Sequence, residues 1–120
     1  MARADTGGAL QSFKAEFFKA LAHPVRIHIL EILRASERSV QELQEQLGLD
    51  QSTVSQQLAV LRAKNIVRGR KEGTTVRYTV VDPGVGDLLD VARRVFNNQL
   101  VGSQDLLREL TRETRRQARR

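Results

Sequence analysis

The residues best equipped for chemistry in this sequence lie between positions 51 and 77, and the chemistry is recognition rather than bond-breaking. The run Gln51-Ser52-Thr53-Val54-Ser55-Gln56-Gln57-Leu58 sets short or planar uncharged side chains around an apolar stripe of Val54, Leu58 and Leu61 at i, i+4 and i+7. With that stripe turned inward, a helix presents Ser52, Ser55 and Gln56 outward, with Gln51, Thr53 and Gln57 beside them. Side chains of these types match the donor and acceptor pattern of base edges in a major groove. Cations follow: Arg62, then Arg68, Arg70, Lys71 and Arg77, with Thr74 and Thr75 between them. These suit phosphate oxygens or a minor groove, giving affinity and register more than sequence choice.

The charge distribution points the same way. The 120-residue chain carries a formal +6, and the excess is confined to two short segments. Residues 62–78 hold six Lys or Arg against one Glu, and residues 108–120 hold six Arg against two Glu. Local clusters of this kind imply contact with a polyanion rather than general basicity, although a terminal Arg-rich run such as 111–120 is also what a solvated tail looks like.

Several function classes find no residues to work with. There is no cysteine, which excludes disulfides, thiolate metal sites, iron–sulfur clusters and cysteine nucleophiles. The segment Gly69-Arg70-Lys71-Glu72-Gly73-Thr74-Thr75 lacks the Gly-Lys-Ser/Thr ending of a phosphate loop, and neither His23 nor His28 belongs to a nucleophile-elbow motif. An enzyme is therefore not expected. For metal binding, His28 and Glu31 are three apart on one helix and can share one ligand position for nickel, cobalt or zinc, with Asp87 or Asp90 as candidates to complete it. The competing reading is that both are simply exposed. No apolar run reaches the ~20 residues of a membrane span, and the start lacks a signal-peptide pattern, so a cytoplasmic protein without membrane contact is the expectation.

The elements that must position these groups follow from periodicity. Residues 1–8 read as a disordered arm. Leu10, Phe13, Phe17 and Leu21 recur at helical spacing from Ala9, and His23-Pro24 ends that first helix. Pro24 suits the first position of a second helix with Val25, Ile29, Ile32 and Leu33 inward, ending near Ala35. Ser36-Glu37-Arg38 is a short connection. Ser39-Val40-Gln41-Glu42 has the form of a capping box and opens a short third helix burying Val40, Leu43 and Leu47, which Gly48 stops. Asp50 or Ser52 caps the fourth helix, running to about Lys64. Ile66–Lys71 and Val76–Val81 are β-prone runs around Glu72-Gly73-Thr74-Thr75, a hairpin with its tip at Gly73. Helix resumes after Asp82-Pro83, with Leu88, Val91, Ala92, Val95, Phe96 and Leu100, then Leu106, Leu107 and Leu110, in one apolar band. Gly102-Ser103 marks a kink or break; a continuous element to about Arg115 would span roughly 50 Å.

Two short helices joined by a turn containing Gly48, followed by a basic hairpin, have the order of a winged helix-turn-helix. The fold class expected is mainly α with a small β-hairpin wing. One domain covers 9–110, with the arm before it and an Arg-rich tail at 111–120.

These residues resemble the ArsR/SmtB transcriptional regulators over about residues 13–110. The likeness is carried by Leu21-Ala22-His23-Pro24-Val25-Arg26 with Ile29-Leu30, by Ser52-Thr53-Val54-Ser55-Gln56-Gln57-Leu58 with Leu61-Arg62, and by Arg70-Lys71-Glu72-Gly73 with Val76-Arg77-Tyr78. The resemblance implies a homodimer built on the first and last helices, through Leu10, Phe13, Phe17, Leu88, Val91, Val95, Phe96 and Leu100. It implies a double-stranded DNA operator with palindromic half-sites and repression of a nearby operon until an effector acts. The departures matter as well. Glu42–Leu47, where many metal-sensing members carry a Cys-x-Cys site, has no cysteine, and residues 83–120 contain no histidine for the site on the last helix. Position 57, often His in the family, is Gln. The cysteine-based metal and redox classes are thus excluded. A thiol-free metal-responsive regulator, or a helical adaptor controlled by a protein co-regulator, stands as the alternative.

Overall fold

A computed structural model describes residues 8–99 and 104–118 of the chain, the Gln104 side chain excepted. Among the described residues, six helices and three strands run in the order α1 (Ala9–Leu21), α2 (Pro24–Leu33), β1 (Arg38–Ser39), α3 (Val40–Leu47), α4 (Gln51–Ala63), β2 (Val67–Glu72), β3 (Thr75–Val80), α5 (Gly84–Gln99) and α6 (Gln104–Ala118). The chain divides into two compact units, Met1–Val85 and Gly86–Arg120.

Local chemistry explains the boundaries of the first unit. His23 caps α2 through Nδ1, which accepts from the Val25 N–H at 3.1 Å, and Pro24 takes the first helical position, where a missing N–H costs nothing. Ser39 and Glu42 form the reciprocal capping box of α3, with Ser39 Oγ accepting from the Glu42 N–H at 3.1 Å and Glu42 Oε1 accepting from the Ser39 N–H at 2.9 Å. Gly48 ends α3 in the left-handed conformation at φ 69°, which a side chain would oppose. Of the two candidate caps for α4, Asp50 is the one used, accepting from the Thr53 N–H at 2.8 Å.

The core of this unit is aliphatic. Ile29, Leu30, Leu43, Val54, Leu58 and Leu61 are almost wholly buried where α2, α3 and α4 pack together, and Ile66 and Val67 extend the core toward the sheet. Burial of each such side chain contributes about 1.5–3 kcal/mol. Leu30 is as buried as Ile29, so the inner face of α2 is wider than the stripe read from the sequence.

The sheet is antiparallel with strand order β1-β3-β2. The hairpin pairs Val67 with Val80 and Glu72 with Thr75, leaving Gly73-Thr74 as a two-residue turn with Gly73 at φ 65°. Gly69 pairs with Tyr78, and a Cβ there would meet Val76 Cγ1 at 2.8 Å, so a larger residue would have to push the Val76 and Tyr78 side chains aside. The third strand is one that periodicity missed. Arg38, expected to end a plain connection, and Ser39, expected as the cap of α3, pair with Tyr78 and Arg77 of β3 and tie the start of α3 to the wing.

In the second unit, α5 and α6 meet through an ion pair from Arg93 to Glu113 at 3.4 Å. The apolar band is therefore divided between two helices rather than forming one 50 Å rod. The expected break at Gly102-Ser103 and Leu100, expected at a dimer interface, lie outside the described residues, as does most of the N-terminal arm. Residues 111–118, grouped in sequence with an Arg-rich tail, are the last two turns of α6, and Arg108, Arg112 and Arg115 line its exposed face at i, i+4 and i+7. No helix among the described residues is long and apolar enough to cross a membrane.

Candidate nucleic-acid interface

The fourth helix is held by one face and free on the other. Val54, Leu58 and Leu61 are at most 1 % exposed, whereas Gln51, Ser52 and Gln56 are fully on the surface and Thr53 and Ser55 half-buried. The cap at Asp50 fixes the entry of α4, and the hydrogen bonds from Thr53 hold the Asp50 carboxyl below the usual carboxylate range. Past the ionised cap Asp50, the outer surface at this end of α4 carries uncharged donors and acceptors, which is the composition that direct base readout uses.

Gln57 is placed differently from its neighbours. Its Oε1 accepts from Arg26 Nη1 at 2.7 Å, and Arg26 also donates to the carbonyl of Ala20 at 2.6 Å. Arginine has only donors, so the amide turns its oxygen to Arg26, with its nitrogen directed away. Bidentate pairing with adenine uses both ends of an amide, and in Gln57 the oxygen end is already shared with Arg26. The motif ending in Arg26 shows its purpose here: the guanidinium caps the last turn of α1 and braces α4.

The wing presents its cations unequally. Arg68, Lys71, Thr74 and Thr75 are exposed, and Arg62 is exposed near the end of α4. Arg70 and Arg77, which the sequence groups with them, are engaged by acidic side chains: both donate to Glu37, and Arg77 also to Glu42. The hydrogen bond from Arg70, seconded by Arg77, holds the Glu37 carboxyl below its ordinary range. The Ser39 N–H does the same for Glu42, with Arg77 adding to it. For Arg77, partial burial pulls its pKa down, but the hydrogen bond to Glu37 and the charges of Glu42 and Glu37 outweigh that and raise it.

A groove of about 520 Å³ brings Gln51 together with Thr74 and Thr75 of the wing, and adds Gln41 and Gln44 of α3. These two glutamines were not among the residues singled out by sequence, although their spacing of three was a legible sign of one polar helix face. Opposite in character are the exposed apolar side chains. Leu10, Phe13 and Phe18 stand out on α1, with Phe13 72 % exposed; Phe17 is half-buried with its ring edge-on to Phe18. Val91, Val95 and Phe96 stand out on α5, and Leu88 is half-buried. Phe18 is an addition to the set read from the sequence.

The metal hypothesis gains no further ligands. His28 is exposed and Glu31 half-buried, and among the described residues no group of three or more His, Cys, Asp or Glu is placed to hold an ion. His23 is spent on the α2 cap.

Comparison with known proteins gives a consistent picture. Residues 23–68 match the bacterial regulatory protein, arsR family. An uncharacterized HTH-type transcriptional regulator of Mycobacterium tuberculosis, Rv0081, is 45% identical over 102 residues, covering 84% of this chain and 90% of that protein. Its crystal structure superposes with a TM-score of 0.72 at 47% identity, over 78% of this chain and 94% of that one. A biofilm growth-associated repressor of Xylella fastidiosa is 36% identical over 85 residues, covering 71% and 75% of the two chains. The homodimeric winged helix-turn-helix DNA-binding domain of Mb0332 from Mycobacterium bovis matches with a TM-score of 0.72 at 30% identity, over 83% and 93%.

Proposed function

The chain belongs to the ArsR family of winged helix-turn-helix DNA-binding transcriptional regulators, and we propose that it acts as a homodimeric repressor on a palindromic operator near its own gene. The observation that carries this reading is the α4 surface. An uncharged face of Gln51, Ser52 and Gln56 lies on a helix whose other side is locked into the core, followed by a strand pair rich in exposed cations. In this reading Gln51, Ser52, Thr53, Ser55 and Gln56 face base edges, Gln57 offers its amide nitrogen, and Arg62, Arg68, Lys71, Thr74 and Thr75 meet the backbone. Gln41 and Gln44 join them through the groove shared with the wing.

Dimerisation is supported by exposed phenylalanines and aliphatics on α1 and on α5, surfaces too apolar to be left in water, and the M. bovis relative is a homodimer. Two copies place two α4 helices one DNA turn apart, ~34–36 Å, or a multiple of that. Repression agrees with the X. fastidiosa relative, itself a repressor. Action on DNA without catalysis, in the cytoplasm, completes the reading. An intact polar α4 face and basic hairpin favour it over a helical adaptor.

Sedimentation of the chain with duplexes carrying one or two half-sites tests the arrangement. The reading requires a dimer in free solution and a clear gain in affinity from the second half-site. A monomer that binds one half-site at full affinity would overturn it.

A further inference from the structure

Arg70 and Arg77 face each other directly across β2 and β3, an arrangement in which like charges repel. Glu37, Glu42 and Glu72 all offset the repulsion, and one oxygen among them is hydrogen-bonded to both arginines. Glu37 Oε1 accepts from Arg70 Nη2 at 2.6 Å and from Arg77 Nε at 3.0 Å, so one anionic atom bridges two guanidinium groups from outside the hairpin. A phosphate oxygen in the same position would make the same two bonds.

The two arginines are not held equally. Arg77 is 23% exposed and has a second anchor, donating through Nη2 to Glu42 Oε1 at 3.1 Å, and Glu42 is itself fixed by the α3 capping box. Arg70 is 54% exposed, and its remaining acidic neighbour, Glu72, lies at 3.8 Å and is 59% exposed. An approaching anion therefore meets one arginine that is fixed and one that can turn outward.

We propose that Glu37 is an internal phosphate mimic: it fills the Arg70–Arg77 cradle in the free protein and gives up Arg70 to a DNA backbone phosphate on binding. This rests on the reading of the hairpin as a DNA-contacting wing. In consequence Glu37 sets the wing's sequence-independent affinity. Any phosphate must first displace a carboxylate, which weakens backbone contact on operator and non-operator DNA alike.

The test is anisotropy of labelled operator and scrambled duplexes across a salt series, using the full chain and Glu37→Gln. The amide keeps an oxygen that can accept from the arginines but carries no charge. Loss of a competing surface ion pair should tighten binding to both duplexes by about two- to fivefold. It should also steepen log K against log salt by up to about one unit. Glu37→Asp, one methylene short of the bridge, should move both readouts the same way by less. Arg70→Ala should weaken binding and flatten the slope, and in that background Glu37→Gln should have no effect.

Unchanged or weaker binding by Glu37→Gln, with Arg70→Ala still weakened, would overturn the mimic and leave the wing reading standing. If Arg70→Ala changes neither affinity nor slope, the wing does not reach phosphate and both fail. A gain from Glu37→Gln that persists without Arg70 would also overturn the proposal, because the charge would then act on DNA directly.

Discussion

Arg26 tests the reasoning about how α4 is held. Its guanidinium donates to the Ala20 carbonyl at 2.6 Å, to Gln57 Oε1 at 2.7 Å and to the Lys19 carbonyl at 3.4 Å, so Arg26→Ala strips two acceptors of good partners and a third of a weak one. A hydrogen bond from a charged donor contributes about 1.5–3 kcal/mol. The side chain is only half-buried and water can replace part of the loss, which brings the expected cost to about 2–3 kcal/mol. Lys lacks the planar fork that spans a helix end and a side-chain amide, so Arg26→Lys should retain only part of the brace, at a cost of about 1–2 kcal/mol. Gln57→Ala should cost about 1 kcal/mol, and the double variant less than the sum, with a coupling of about 0.5–1.5 kcal/mol. Urea unfolding at fixed protein concentration measures all four states, provided the slope with denaturant is unchanged. An Arg26→Ala cost below about 0.5 kcal/mol, or strict additivity with Gln57→Ala, would refute the brace.

Three further outcomes follow from the same structure. Ser39→Ala removes the buried cap of α3 and should cost about 1–2 kcal/mol in the same urea assay, since the Glu42 N–H loses its acceptor. Gln56→Ala should cost about 1–3 kcal/mol on operator DNA and far less on scrambled DNA; equal losses on both would remove Gln56 from base readout. Glu37, Glu42 and Asp50 all titrate below their ordinary values in the folded chain, so their contribution is complete above about pH 5 and fades as pH falls toward their depressed values. Melting temperature should therefore drop between about pH 5 and pH 3, and a Glu37→Gln, Glu42→Gln variant should show a shallower drop; identical pH profiles would count against these pairings.

Local signals were readable and distant ones were not. The capping box at Ser39 and Glu42, the stop at Gly48, the inner stripe of α4 and the turn at Gly73 each depend on residues within a few positions, and each is found where periodicity and turn chemistry put it. The strand at Arg38–Ser39 is two residues long, too short for alternation to register, and exists because β3 pairs with it from nearly forty positions away. Distance along the chain also hid the Arg26–Gln57 brace and the grip of Glu37 on Arg70 and Arg77. Composition counted those arginines as free cations, because nothing local reveals a carboxylate that only the folded wing brings beside them. The division between α5 and α6 was ambiguous for a different reason: leucines continue at helical spacing on both sides of Gly102-Ser103, so the apolar pattern alone does not say where one helix ends.

The central claim is that α4 reads sequence while the wing supplies general affinity. Fluorescence anisotropy of DNA from upstream of this gene, titrated at fixed salt beside a scrambled duplex of equal length, tests it most directly. The account predicts a preference for the upstream site of about a thousandfold or more, with two chains bound per duplex. Equal affinity for the two duplexes, falling together as salt rises, would contradict it and leave a protein that binds DNA by charge alone.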